Sequence, residues 1–128
     1  MRRLAILLLP ILFVISGCQE IIYPNQTIIV DIAPSSWRSS NGSQSLYTII
    51  DMPEISDTFN ARGGILTYLA FEPRTYEQLP QVYNGISYTW ISRPGEIVIE
   101  IENSDGLGTV IPPSAMITAK IILVESDY

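Results

Sequence analysis

Glutamates near residue 100 are the side chains whose spacing comes closest to a catalytic arrangement. Glu100 and Glu102 are separated by one residue, so on an extended strand their carboxylates would lie roughly 6.5–7 Å apart. Paired carboxylates at such a separation catalyse glycoside hydrolysis when burial raises the pKa of one of them. Here the glutamates alternate with isoleucines, and Glu96 continues the acidic face. Because this alternation is typical of a strand with one solvated face, we interpret the glutamates as exposed and not as catalytic.

The residue inventory excludes most other catalytic and metal chemistry. The sequence has no His and a single Cys, so it offers no imidazole base, internal disulfide, Cys-rich zinc site or iron–sulfur cluster. It also lacks a nucleophile elbow, a phosphate loop and a dinucleotide fingerprint. Oxygen donors cluster at residues 102–106, but EF-hand spacing is absent, and we interpret Asn103-Ser104-Asp105-Gly106 as a turn and not as a calcium site. We therefore expect no catalytic residues, no metal and no cofactor.

Aromatic residues in polar segments are the candidates for contact with a partner. Trp37, Tyr76 and Tyr83 lie in or beside predicted loops, and Arg38 directly follows the Trp. Trp, Tyr and Arg dominate the energetics of protein interfaces, and exposed aromatic rings also stack on sugars. We expect these four residues to form one loop edge that binds a protein or a glycan. A core position is the open alternative for Trp37.

The first residues are typical of a targeting segment and not of a folded domain. Two arginines precede an apolar run at residues 4–15. The run is shorter than the ~20 residues of a transmembrane helix and matches the apolar region of a signal peptide. It ends in Ile15-Ser16-Gly17-Cys18, which resembles the lipobox of bacterial lipoproteins. The resemblance implies cleavage between Gly17 and Cys18, and attachment of palmitate and other acyl chains to Cys18.

Charge and the residues after Cys18 indicate how and where the chain meets a membrane. The chain has 13 acidic and 7 basic side chains, and two of the basic ones, Arg2 and Arg3, lie in the predicted signal peptide. The phosphates of nucleic acids and of anionic lipids would repel so acidic a protein, which leaves the acyl chains as the membrane attachment. Gln19 and Glu20 follow where inner-membrane lipoproteins usually carry Asp, so the resemblance implies the outer membrane.

The rest of the sequence favours strands. β-Branched and aromatic residues dominate after residue 18, and Lys120 is the only Lys. Apolar residues at alternate positions, or in short runs, predict strands at 27–32, 46–52, 65–71, 86–92, 96–103 and 116–124, among about seven in all. One short helix is predicted at 55–62, and loops at 34–45 and 72–81. Tyr88 and Trp90 share a strand face that we expect in the core. The predicted fold is all-β, an antiparallel β-sandwich with one short helix.

A longer pattern resembles small uncharacterised envelope lipoproteins of the Bacteroidetes type. It comprises residues 47–56, in which Pro53-Glu54-Ile55-Ser56 forms a turn before the helix, and the strand 64–69. The similarity covers about residues 27–124 and implies no function. The expected organisation is a lipoprotein signal peptide at 1–17, a lipidated Cys and tether at 18–26, and a β-sandwich domain at 27–128.

Three classes of function remain. We favour a lipid-anchored, non-catalytic envelope protein with a structural or protein-binding role and no affinity for nucleic acid. A surface glycan-binding module is the alternative, supported by the aromatic residues. A small hydrolase is a remote alternative, supported only by the glutamates.

Overall fold

The part of the chain that the structure describes forms nine strands, and the long ones alternate apolar with polar residues. A computed structural model describes residues 25–40 and 42–126. The predicted signal peptide, its cleavage after Gly17 and the lipid attachment at Cys18 lie outside these residues. The elements are β1 (Gln26–Ile32), a single 3₁₀ turn (Pro34–Ser36), β2 (Arg38–Ser39), β3 (Ser45–Asp51), α1 (Asp57–Arg62), β4 (Gly64–Glu72), β5 (Thr75–Gln78), β6 (Gln81–Tyr83), β7 (Ile86–Arg93), β8 (Glu96–Asn103) and β9 (Ile117–Val124).

The strands form two sheets around one apolar core, which confirms the predicted antiparallel β-sandwich with one short helix. One sheet has the order β1-β9-β4-β5, and the other has the order β2-β3-β8-β7-β6. All the paired neighbours are antiparallel. Both β4 and β9 are central in their sheet, as their apolar character predicts.

Alternate side chains of the central strands fill the space between the sheets. In β8, Ile97, Ile99 and Ile101 are fully buried. Glu100 and Glu102 on the opposite face are exposed, as the alternation predicts. Burying each isoleucine contributes roughly 1.5–3 kcal/mol relative to leaving it in water, so β8 holds the five-stranded sheet against the core.

Two short edge strands replace the loop predicted at 72–81. β5 pairs with β4 through an irregularity between Ala70 and Glu72, and β6 pairs with the first half of β7. Between them the chain changes sheets at the buried Leu79, whose N–H donates to the Thr67 carbonyl at 2.9 Å. β5 is polar and flanked by prolines, and β6 has only three residues, so no alternating apolar pattern marks them in the sequence.

The helix begins two residues later than predicted, at Asp57, and ends at Arg62. Ser56 caps it, because its Oγ accepts a hydrogen bond from the Phe59 N–H at 3.0 Å. Phe59 is buried against Gly63, where a Cβ would lie 2.5 Å from the ring. The backbone of Gly63 is extended, with φ −78°, so the close approach of the ring, and not a left-handed backbone, requires glycine.

The two ends of the sandwich carry different connections. Gln26 at the start of β1 pairs with Leu123 near the end of β9, whereas Ile32 pairs with Ile117. The described part of the chain therefore begins and ends at the same end of the sandwich, and β1 leads from there to the opposite end. This terminal end comprises Asn25, the β3–β4 connection at 52–63, the hairpin turn at 94–95 and residues 125–126. The distal end comprises residues 33–40 and 42–44, the turns at 73–74 and 84–85, and the β8–β9 connection at 104–116.

Candidate functional site

Trp37 lies in the core, which contradicts the expectation that its ring is available to a partner. The side chain is 8% exposed and belongs to the central apolar cluster. Its indole N–H is buried and has no hydrogen-bond partner among the described residues. The polar neighbour Arg38 does not imply an exposed ring, because Trp37 and Arg38 are extended and successive side chains of an extended segment point in opposite directions.

The other three predicted contact residues do not form one edge, which is a second correction. Arg38 lies on β2 and Tyr83 on β6, at opposite edges of the five-stranded sheet. Tyr76 lies on β5, an edge of the four-stranded sheet. Because β5 leads into β6, Tyr76 and Tyr83 share one side of the sandwich, and both lie beside Phe71. The structure therefore brings together two of the four predicted residues.

Phe71 is the centre of an aromatic cluster at the distal end. Its ring stacks on Tyr83, with the centroids 4.3 Å apart, and meets Tyr88 edge-on at 4.7 Å. Each pair contributes about 0.5–1.5 kcal/mol beyond burial. Tyr88 is buried, as predicted, and Trp90 on the same strand face packs against the core. Desolvation, followed by the nearby Tyr83, raises the pKa of the Tyr88 hydroxyl.

A cleft opens between this aromatic cluster and the β8–β9 connection. Its volume is about 260 Å³. We call it the distal cleft, and its lining consists of Phe71, Tyr83, Asn84, Ile86, Tyr88 and residues 113–117. Complete small-molecule sites usually enclose about 300–1,000 Å³. The size and the apolar lining therefore suit one or two side chains of a protein partner better than a whole small ligand.

The β8–β9 connection, residues 104–116, exposes three large aliphatic side chains, and its last residues, 113–116, line the distal cleft. We call this segment the distal loop. Leu107, Ile111 and Met116 are 71%, 79% and 59% exposed. Leaving such a side chain in water forgoes roughly 1.5–3 kcal/mol relative to burying it. Single exposed apolar residues are ordinary, whereas several on one loop beside an aromatic cleft are typical of an interaction surface.

Hydrogen bonds fix the shape of the first half of the distal loop. The Asn103 Nδ2 donates to the Leu107 carbonyl at 2.8 Å, and the Leu107 N–H donates to Asp105 Oδ1 at 2.9 Å. Val110 is buried, and its N–H donates to the Ser43 carbonyl at 2.9 Å. The polar run that we interpret as a turn therefore orders the loop as far as Thr109. A surface that is already ordered loses less conformational entropy when a partner binds.

A second depression lies on the outer face of the four-stranded sheet, and we call it the outer hollow. Its volume is about 380 Å³. Its lining consists of Ala70, Phe71, Glu72, Pro73, Arg74, Tyr76, Met116 and Thr118. The Lys120 ammonium lies 4.1 Å from the centroid of the Tyr76 ring and 4.8 Å from that of Tyr68. Phe71 and Met116 line both depressions and so form the wall between them.

Other site chemistry has little support within residues 25–40 and 42–126. No three Cys, Asp or Glu side chains lie together there as metal ligands. No helix in these ranges has the length and apolar character needed to cross a membrane. No family model matches the chain, and neither does any curated protein or solved structure. Function must therefore be inferred from the residues and their geometry.

Proposed function

We propose that the chain is a lipid-anchored outer-membrane lipoprotein whose domain binds an envelope protein at its distal end and catalyses no reaction. The observation that carries the binding role is the exposure of Leu107, Ile111 and Met116 on one loop, whose last residues line the distal cleft. A partner that covered these side chains would gain the free energy of removing them from water. Aliphatic side chains around an aromatic cleft suit a protein surface better than a polar ligand.

The anchor is supported by the lipobox resemblance of Ile15-Ser16-Gly17-Cys18. β1 begins at Gln26, at the terminal end, so residues 18–25 would connect the lipidated Cys to the domain. An extended segment of that length spans at most about 26–29 Å. The distal loop, at the opposite end of the sandwich, would then lie on the side that faces away from the membrane, where a partner has access to it.

Substitution of the only Cys tests the anchor. We expect the wild-type protein to incorporate radiolabelled palmitate and to fractionate with the outer membrane. The Cys18→Ser protein should lose the label and accumulate as a precursor or in the soluble fraction, because the chain has no second thiol to acylate. Cleaved Cys18→Ser protein that still fractionates with membranes would contradict the anchor.

Photocrosslinking in intact cells tests the binding surface. A photoreactive residue is placed at Ile111 and, as a matched control, at Ile49, which is 45% exposed on the outer face of the five-stranded sheet. We expect a discrete crosslinked protein from position 111 and none from position 49. Leu107→Asp should abolish the product by placing a charge in the apolar contact. No product from position 111, or equal products from both positions, would contradict a protein partner at the distal loop.

A hydrolase has the least support of the alternatives. Its carboxylate pair would be Glu100 and Glu102, and both are exposed, whereas a catalytic acid requires a desolvated carboxyl. Hydrolytic turnover that disappears in Glu100→Gln or Glu102→Gln would contradict the non-catalytic role.

A further inference from the structure

We infer that the outer hollow is a second binding site, which shares only Met116 with the distal loop, and that it takes a neutral hexopyranose unit of a polysaccharide. The hollow has open space above Ala70, an exposed aromatic ring, and side chains that donate and accept hydrogen bonds. A sugar ring needs all of these, since it has an apolar C–H face and a rim of hydroxyls.

A small residue makes the space. Ala70 lies on β4 and pairs with Tyr76 on β5 and with Thr118 on β9, so it lies between these two strands near the distal end of the sheet. Its methyl group leaves a depression between the larger neighbours. The volume of about 380 Å³ falls within the ~300–1,000 Å³ of small-ligand sites.

The ring at the edge of the hollow is held in position. Tyr76 is 37% exposed, and the Lys120 ammonium lies 4.1 Å from its centroid. The same ammonium lies 4.8 Å from the Tyr68 centroid, so one cation fixes two rings on the sheet. A fixed ring loses little entropy when a sugar packs on it, which favours binding.

The polar groups around the hollow supply both donors and acceptors for hydrogen bonds to the hydroxyls of a sugar. Arg74 offers guanidinium donors, and Glu72 offers carboxylate acceptors. Among the described residues neither forms an ion pair, so both are available. The Thr118 hydroxyl donates to Asp31 Oδ1 at 2.9 Å and can therefore accept from a ligand. The rim carries one cationic and one anionic side chain, which suits a ligand without net charge. Glu72 would repel the carboxylate of an acidic sugar.

Binding of defined polysaccharides tests the site. Full-length protein in detergent is titrated with amylopectin, galactomannan, xyloglucan and mixed-linkage β-glucan, with polygalacturonate as the acidic probe. We expect saturable binding to at least one neutral probe. Tyr76→Ala and Arg74→Ala should each weaken it about tenfold. Tyr47→Ala and Arg93→Ala, which remove the same residue types from the five-stranded sheet, should leave the affinity unchanged.

A variant that fills the hollow distinguishes loss of the site from loss of the fold. Ala70→Leu keeps the ring and the rim charges but occupies the floor, so we expect it to abolish saccharide binding while circular dichroism stays unchanged. The inference is overturned if no neutral probe binds, if only polygalacturonate binds, if Tyr76→Ala and Ala70→Leu bind as the wild type does, or if the control variants lose affinity equally. Crosslinking at position 111 uses a residue outside the hollow, so either proposal can fail while the other stands.

Discussion

The β3–β4 connection at the terminal end and the distal loop both cross between the sheets, but they place their apolar side chains in opposite environments. In the β3–β4 connection, Met52, Ile55 and Phe59 are 1%, 1% and 7% exposed. The Met52 N–H donates to the Gly95 carbonyl at 2.8 Å, and the Gly95 N–H donates to the Ile55 carbonyl at 2.7 Å. These contacts tie the connection to the β7–β8 hairpin and close the core at that end.

The distal loop closes the other end with much less apolar burial. Of its large aliphatic side chains, Val110 is buried, whereas Leu107, Ile111 and Met116 are exposed. The fold thus needs the apolar residues of the first connection, and it does not need three of those in the second. Residues that the fold does not require, and that water disfavours, are the ones available for a partner.

The largest expected difference between the two connections is in stability. Phe59→Ala should lower the free energy of unfolding by about 3–5 kcal/mol, because it leaves a cavity beneath α1. Ile111→Ala should change it by less than about 0.5 kcal/mol, because the side chain is 79% exposed. Equilibrium urea unfolding of both variants measures the contrast. A large loss for Ile111→Ala would show that the distal loop belongs to the core and would remove the case for a partner there.

A second prediction compares a buried and an exposed residue within the distal loop. Val110→Ala should cost about 2 kcal/mol, since it removes two buried methyl groups and leaves part of their volume empty. Leu107→Ala should be nearly neutral, since Leu107 is 71% exposed. Urea midpoints for the two variants test this, and the N–H of residue 110 keeps its hydrogen bond to the Ser43 carbonyl in both. Equal losses of stability in the two variants would mean that Val110 does not anchor the loop more strongly than Leu107 does.

The sandwich could be predicted because its long strands alternate. In β8 the alternation of Ile99 with Glu100 defines a buried and an exposed face without any knowledge of the partner strands. β5 and β6 could not be found in this way, because edge strands of three or four residues are held by pairing with long neighbours and not by their own pattern. The short helix could be predicted because capping depends on local sequence, and Ser56 caps it in the structure.

The candidate sites were much less predictable, because they depend on contacts between distant segments. The polar neighbours of Trp37 in the sequence indicate an exposed ring, but the direction of the ring depends on the packing of both sheets. Phe71, Tyr83 and Tyr88 come from three strands of two sheets, and no spacing in the sequence brings them together. Leu107 and Ile111 follow no strand or helix period. Their position in a segment rich in Gly and Pro was the available indication of exposure.

The smallest expected effect is a pH dependence of stability at the distal end. The folded-state pKa of Tyr88 is raised above its ordinary value of 10.0, first by desolvation and then by Tyr83. The folded protein therefore keeps this proton to higher pH than the unfolded chain does. The stability associated with neutral Tyr88 is fully present below pH about 10 and is lost as the pH rises through the folded-state value. The terminal-end residues Met52, Ile55 and Phe59 have no ionisable group and contribute no such dependence.

Tyr88→Phe should therefore reduce the fall in urea midpoint between pH about 9 and pH about 11, because it removes the hydroxyl whose ionisation the fold opposes. Tyr76→Phe is the comparison variant, since it removes the hydroxyl of a Tyr that is 37% exposed and leaves the buried Tyr88 in place. All the other tyrosines are common to the wild type and both variants, so the difference between the variants isolates the buried ring. An identical fall in Tyr88→Phe and the wild type would show that the aromatic cluster opens to water before Tyr88 ionises. The distal end would then be the less stable end of the sandwich, and the ordered surface on which the proposed partner contact depends would not persist at high pH.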